Sequence, residues 1–233
     1  MAPDPLGLRQ AFAKQSANDK AHLFVEFKRR GIGLVDPAPR TDWSWLYLAQ
    51  HHGLPTSLLD WTESSHIALF FALKRVAGQK RERQDACVWM LNPGELNERG
   101  WRFCNVVVVG DEDKEARGLL NPYLHGKPAQ WKVEGDEPPL LAIIPEHVSP
   151  RLRAQRGAFV AFGNDEDALN QIVVDANHDK PGTSIARPFV IEYNAARVIE
   201  RELDVSGVTE SDVFPDLDGL CGELARRHDS GTP

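Results

Sequence analysis

The sequence predicts an α+β fold, with helices first, a small set of strands next and helices again at the end. Apolar residues at helix-like spacing, Leu8, Phe12, Leu23 and Phe27, come before any β-branched run. Four strand-forming runs come next, "NVVVVG", "LLAIIPE", "GAFVAFG" and "RPFVIEYN". Strand and helix do not alternate regularly, which argues against a doubly wound parallel sheet.

Residues 1–20 read as a flexible lead running into a helix start, because two prolines fall within the first five positions. One or two helices are expected between Leu8 and Arg30, ended by "RGIG". Thr41 or Asp42 caps the next helix, "WSWLYLAQHH", and Gly53 and Pro55 stop it. "TSLLDWT" is a short strand or turn. Residues 62–65 offer several caps for the apolar helix "SHIALFFALKR".

"ACVWMLN" is a strand closed by a turn at "NPGE", and Cys87 within it reads as a small buried thiol. The segment from "DEDKEARG" to "DEPP" carries mixed charge and no firm period, and reads as a long loop. "HVSPRLRAQR" is a polar link between two strands. "AARVIERELD" is an amphipathic helix, and "FPDLDGLCGELARRH" a last helix with Pro215 near its start. A single domain over 21–228 and a disordered tail at 229–233 are expected.

Composition narrows the function classes. The chain has 233 residues, 42% of them hydrophobic and 26% charged, enough to bury a real core. A net charge of −7 argues against non-specific grip on nucleic acid. Three scattered cysteines give neither a disulfide framework nor a C-x-x-C zinc pair, and no 18-residue apolar run spans a membrane. A cytoplasmic location is the expectation. Glycine-rich phosphate loops, H-E-x-x-H and G-x-S-x-G are all absent. His51 and His52 are adjacent, so on a helix they point about 100° apart and do not share a metal; no metal site is expected.

Two stretches carry chemistry. In "QHHGLPTSLLDWT", Gln50, His51, His52, Thr56, Asp60 and Thr62 bring polar side chains beside Trp61 and Phe70. Singly, each is explained by a cap or a satisfied core group; together they suit an apolar pocket with few polar groups. In "RLRAQRGAFVAF", Arg151, Arg153 and Arg156 suit phosphate recognition or a solvated basic loop. Gln155 offers an uncharged amide immediately ahead of a strand.

"LAQHHGLPTSLLDWTESSHIALFFAL" resembles the signature of the FRG domain family, named for a Phe-Arg-Gly near its amino terminus. "RLRAQRGAF" and "FPDLDGL" are similar to that family's lead into a strand and its carboxy-terminal helix start, so the likeness spans about residues 20 to 225. The resemblance implies an ADP-ribosyltransferase-like fold, in which N-terminal helices pack on a small split, mostly antiparallel β-sheet whose cleft holds NAD. NAD would be the substrate, cleaved at C1 of the nicotinamide ribose, in an effector of toxin or defence type. Gln155 and Asp60 would be catalytic. Trp61, Phe70 and Phe71 would floor the nicotinamide, with Gln50, His51, His52, Thr56, Thr62 and Arg153 binding the rest.

The acceptor of ADP-ribose, protein or nucleic acid, is left open. No Phe-Arg-Gly precedes the motif: "FKRRG" at 27–31 stands at a helix end, and Ser57 occupies a position where arginine or proline is more usual. A partner or another chain segment would then supply the missing first strand. The competing reading is a binding module that has kept the pocket and lost turnover.

Overall fold

The computed structural model describes residues 16–74, 85–109, 140–146, 149–162 and 185–230. Eight helices and six strands lie among them. In chain order they are α1 (Ala17–Gly31), α2 (Asp42–His51), β1 (Leu58–Thr62), α3 (Ser65–Leu73), β2 (Ala86–Leu91), α4 (Pro93–Trp101), β3 (Val107–Val108), β4 (Leu141–Ile144), α5 (Pro150–Ala154), β5 (Gly157–Ala161), β6 (Ala186–Ile191), α6 (Tyr193–Val205), α7 (Glu210–Val213) and α8 (Leu217–Ser230). The α+β class with helices at both ends stands. The sheet is split: one sheet has the order β1-β5-β4-β3, and a second pairs β2 with β6.

Most pairings are antiparallel. β4 runs against β5 with Leu141 opposite Ala161, and β2 against β6 with Ala86 opposite Ile191. Phe162 N–H donates to the Ser57 carbonyl and Glu63 N–H to that of Arg156, both at 3.0 Å, which sets β1 antiparallel to β5. The two-residue β3 is the exception and lies parallel to β4.

The chain forms two compact units. The first takes the described residues of 1–60, 92–148 and 158–185; the second those of 61–91, 149–157 and 186–230. In the first unit, Trp45, Leu46, Tyr47 and Ala49 of α2, Leu141 and Ile143 of β4 and Val160 of β5 are buried. Phe27 of α1 meets Trp45 edge to face at 5.9 Å, and Lys28 pairs with Asp42. In the second unit, Ile67, Phe70 and Leu73 of α3 pack with Ile191, Ala196, Leu203, Val213 and Phe214.

Local chemistry accounts for the helix starts. The side-chain oxygens of Thr41, Ser64, Asn92 and Ser149 accept from Ser44, Ile67, Glu95 and Leu152 N–H, at 3.0, 3.4, 3.2 and 3.1 Å.

Four sequence expectations change. The "NPGE" turn is instead the first turn of α4, with Asn92 as cap and Pro93 just inside. The polar link before β5 contains α5, built the same way from Ser149 and Pro150. The last helix begins only at Leu217, after the short α7. Cys87 is exposed, not buried: Ala86 and Val88 pack on the core, and strand alternation turns Cys87 the other way. The amino-terminal lead to residue 15 and the long loop at 111–139 lie outside the described residues.

Candidate functional site

In the first unit, the end of α2 and the start of β1 are tied by one network. Gly53, at φ 80°, lets the chain turn after α2, a conformation that disfavours side chains with a Cβ. The turn returns Asp60 to Gln50: Gln50 Nε2 donates to Asp60 Oδ2 at 2.8 Å and to the Leu58 carbonyl at 3.3 Å. The buried Thr56 hydroxyl donates to Gln50 Oε1, and Leu58 N–H donates to Thr56 Oγ1 at 3.3 Å. A neutral amide, fixed at both ends, therefore orients the exposed Asp60 carboxylate. The His51 and His52 rings meet edge to face at 4.8 Å, His51 half-buried and His52 exposed.

The same helix buries two polar atoms that have no hydrogen-bond partner among the described residues, Trp43 Nε1 and Tyr47 Oη. Tyr47 stacks on Phe159, with centroids 5.1 Å apart and rings 8° from parallel, and Trp43 lies 5.9 Å from Tyr47. Burial, reinforced by the Glu146 carboxylate, holds the Tyr47 hydroxyl well above the usual phenol range. Tyr47 therefore stays a neutral donor.

In the second unit, Thr62 Oγ1 donates to the Gln155 carbonyl at 2.7 Å and accepts from Ser64 N–H at 3.1 Å. The Gln155 side-chain amide donates to the Val213 carbonyl at 3.2 Å. Phe70, Phe71 and Phe214 form an aromatic cluster with centroids 5.6 to 6.2 Å apart. Lys74 Nζ and Arg151 Cζ lie 4.0 and 4.5 Å from the Phe214 centroid, within cation–π reach. Arg153 is exposed. Trp61 is half-buried, and its Nε1 is buried with no partner among the described residues.

The candidate residues thus gather as two sets, Gln50, Thr56 and Asp60 in one unit, and Thr62 and Gln155 with the phenylalanine cluster in the other. Asp60 and Trp61 are consecutive on β1, so their side chains leave opposite faces of the strand. Lys74 and Phe214 escaped the sequence reading. Phe214 opens the "FPDLDGL" run, but nothing in the sequence places it between Lys74 and Arg151. Gln155→Ala is expected to cost about 1 kcal/mol by stranding the Val213 carbonyl, read as a lower midpoint in urea. An unchanged midpoint would show that water replaces the amide there.

Among the described residues, no group of three or more His, Cys, Asp or Glu side chains could hold a metal ion. Among them, too, no helix is long and apolar enough to cross a membrane. The Gln50–Thr56–Asp60 network and α3 both fall within one matched stretch of the chain. Residues 6–81, about a third of the chain, match the family model of the FRG domain. No curated protein and no solved structure matches the chain.

Proposed function

We propose that the chain is an ADP-ribosyltransferase-like FRG domain that takes NAD as substrate, with Asp60 as the catalytic carboxylate. The observation that carries this reading is the orientation of Asp60. An exposed carboxylate held by a glutamine, itself anchored by a buried threonine, has lost side-chain freedom that a merely solvating group keeps. A fixed negative charge suits a reaction whose centre turns positive.

The bond between C1 of the ribose and the nicotinamide nitrogen breaks, and its electron pair leaves with nicotinamide. The carbon becomes oxocarbenium-like, and the Asp60 carboxylate stabilises that charge. Water, or a hydroxyl of the acceptor, adds to the carbon and releases a proton. With water the products are ADP-ribose, nicotinamide and one proton.

The test is a thermal-shift titration with NAD, ADP-ribose and nicotinamide, paired with an assay of nicotinamide release. NAD at a hundredfold excess over its dissociation constant should add about 2.7 kcal/mol to apparent stability. Asp60→Asn keeps an acceptor for Gln50 and removes the charge. It should leave the ligand-free melting temperature unchanged and cut nicotinamide release at least a hundredfold. Full release by the variant would remove Asp60 from the chemistry, and no shift with any of the three compounds would sink the NAD reading.

A binding module without turnover is the second reading, and Gln155 favours it. Its amide and its carbonyl both serve internal hydrogen bonds, to Val213 and Thr62. An NAD-dependent shift with no nicotinamide released would select this reading.

A further inference from the structure

The turn between α5 and β5 places its glycine one residue late. α5 ends at Ala154, Gln155 caps it, and Arg156 then takes the left-handed conformation at φ 46°. Helices that end this way usually put glycine there, because a Cβ is disfavoured. The glycine of this turn is Gly157, and its reason is space: a Cβ would stand 2.3 Å from Leu152 Cδ1. Arg156 therefore carries backbone strain that glycine would relieve. Strain of this kind collects where a side chain is needed for something other than the fold.

The fold makes no use of that side chain. Arg156 is exposed, and its guanidinium has no ion pair or hydrogen bond among the described residues. Exposed Glu63 stands directly opposite on β1, its N–H donating to the Arg156 carbonyl at 3.0 Å, and still the two side chains form no ion pair. Arg153 is likewise exposed and without a partner among the described residues. Arg156 N–H donates to the Arg153 carbonyl at 3.1 Å, so one tight turn carries both. Arg151, on the same turn, lies over the Phe214 ring. Three guanidinium groups against the one carboxylate of Glu63 leave this turn positive in a chain of net charge −7.

A third donor stands two rungs along the same ladder. Trp61 buries its Nε1 with no partner among the described residues, and it belongs with Arg153 and Arg156 to the second unit. Glu63 apart, these groups donate and do not accept. A ligand that answers them carries acceptors only, which describes phosphate oxygens, and two guanidinium forks on one turn suit two phosphates. We propose that Arg153 and Arg156 bind the diphosphate of a small molecule, one phosphate each, with the Trp61 indole N–H as a further donor. The net charge disfavours a nucleic-acid polyanion there. NAD carries a diphosphate, but the inference stands without it, because Asp60 belongs to the first unit.

Titration calorimetry of the full chain with inorganic pyrophosphate, and separately with ADP, tests this. Pyrophosphate should bind the parent. Arg156→Gly should weaken that binding at least tenfold and yet raise the ligand-free melting temperature by about 2–4 °C, because it removes the anion contact and the strain together. Arg153→Ala should weaken binding at least tenfold as well. Arg102, left-handed at φ 60° after α4, is the control: Arg102→Gly should raise the melting temperature similarly and leave binding unchanged. Asp60→Asn should also leave it unchanged, which separates this site from the nicotinamide chemistry. ADP binding tighter than pyrophosphate would identify a nucleotide as the source, and affinity no better would identify a free diphosphate; either supports the site. A parent that does not bind pyrophosphate overturns the proposal. So does an Arg156→Gly variant that keeps full affinity or melts below the parent, or an Arg102→Gly variant that loses affinity as much.

Discussion

Replacing Asn97 by leucine should lower the melting temperature by roughly 10 °C, the largest effect expected of any single substitution considered for the fold. Asn97 lies on α4 and is fully buried. Its Nδ2 donates to the Asn105 and Ala142 carbonyls at 2.9 and 3.1 Å, and its Oδ1 accepts from Ala142 N–H at 2.8 Å. One side chain thus satisfies three main-chain groups and fastens α4 to β4, whose residues 141–143 are themselves buried. Leucine matches the volume and supplies no hydrogen bond. Each buried group left unpaired costs about 1–3 kcal/mol, so the loss is on the order of 3–5 kcal/mol. Asn97→Asp should be nearly as damaging, because a carboxylate would face two carbonyl oxygens without a donor. A fall of less than about 2 °C in calorimetry for the leucine variant would show that water takes over the contacts.

The second large effect is on acid stability and centres on Glu223. Burial by itself would raise its pKa. The hydrogen bonds from Ser211 and Thr209, with the Arg227 guanidinium 2.7 Å away, outweigh burial and bring it from 4.5 down to about 2. A carboxylate with a depressed folded-state pKa adds stability that is fully present above its unfolded value. That stability is lost as pH falls through the folded value, so the window runs from about pH 5 to 2. Screened by the solvent around the exposed Arg227, the contribution at neutral pH is on the order of 1–2 kcal/mol. Glu223→Gln should therefore destabilise the chain at pH 7 and flatten its urea midpoint between pH 5 and 2. A variant that loses stability with acid as steeply as the parent would move that pH dependence to other carboxylates.

Much of the helical framework was legible because helix entry is local chemistry. Thr41, Ser64 and the stop at Gly53 could be read from a few neighbouring residues, and so could the apolar run of α3. α4 and α5 were missed for a related reason. An Asn-Pro or Ser-Pro pair opens a type I turn and a helix with the same dihedral angles, and only the residues downstream decide between them. At α4 those residues are Leu96 and Asn97, which reach buried partners, a tertiary fact. The exposure of Cys87 depends on which strand face meets α3 and α6, which one strand's sequence does not state.

At the candidate site, sequence named Gln50, Thr56 and Asp60 but not their mutual bonding, which needs the left-handed turn at Gly53 to close a ten-residue loop. The FRG-domain resemblance held over residues 6–81. The cluster of Phe214 with Lys74 and Arg151 was out of reach, since its members come from three distant parts of the chain.

That same long-range bonding governs how the second unit comes off the ribosome. Thr62 is held by Gln155, 93 positions later, and Gln155 by Val213, a further 58 positions on. The first tether closes only after Gln155 has cleared the exit tunnel, and the second only after Val213 has. Until then Ile67, Phe70 and Leu73 lack their partners on α6 and α7, and an apolar helix waits through the synthesis of about 140 residues with its inward face open. The nascent chain therefore exposes apolar surface on this helix for most of its synthesis, and a ribosome stalled before residue 213 would display it.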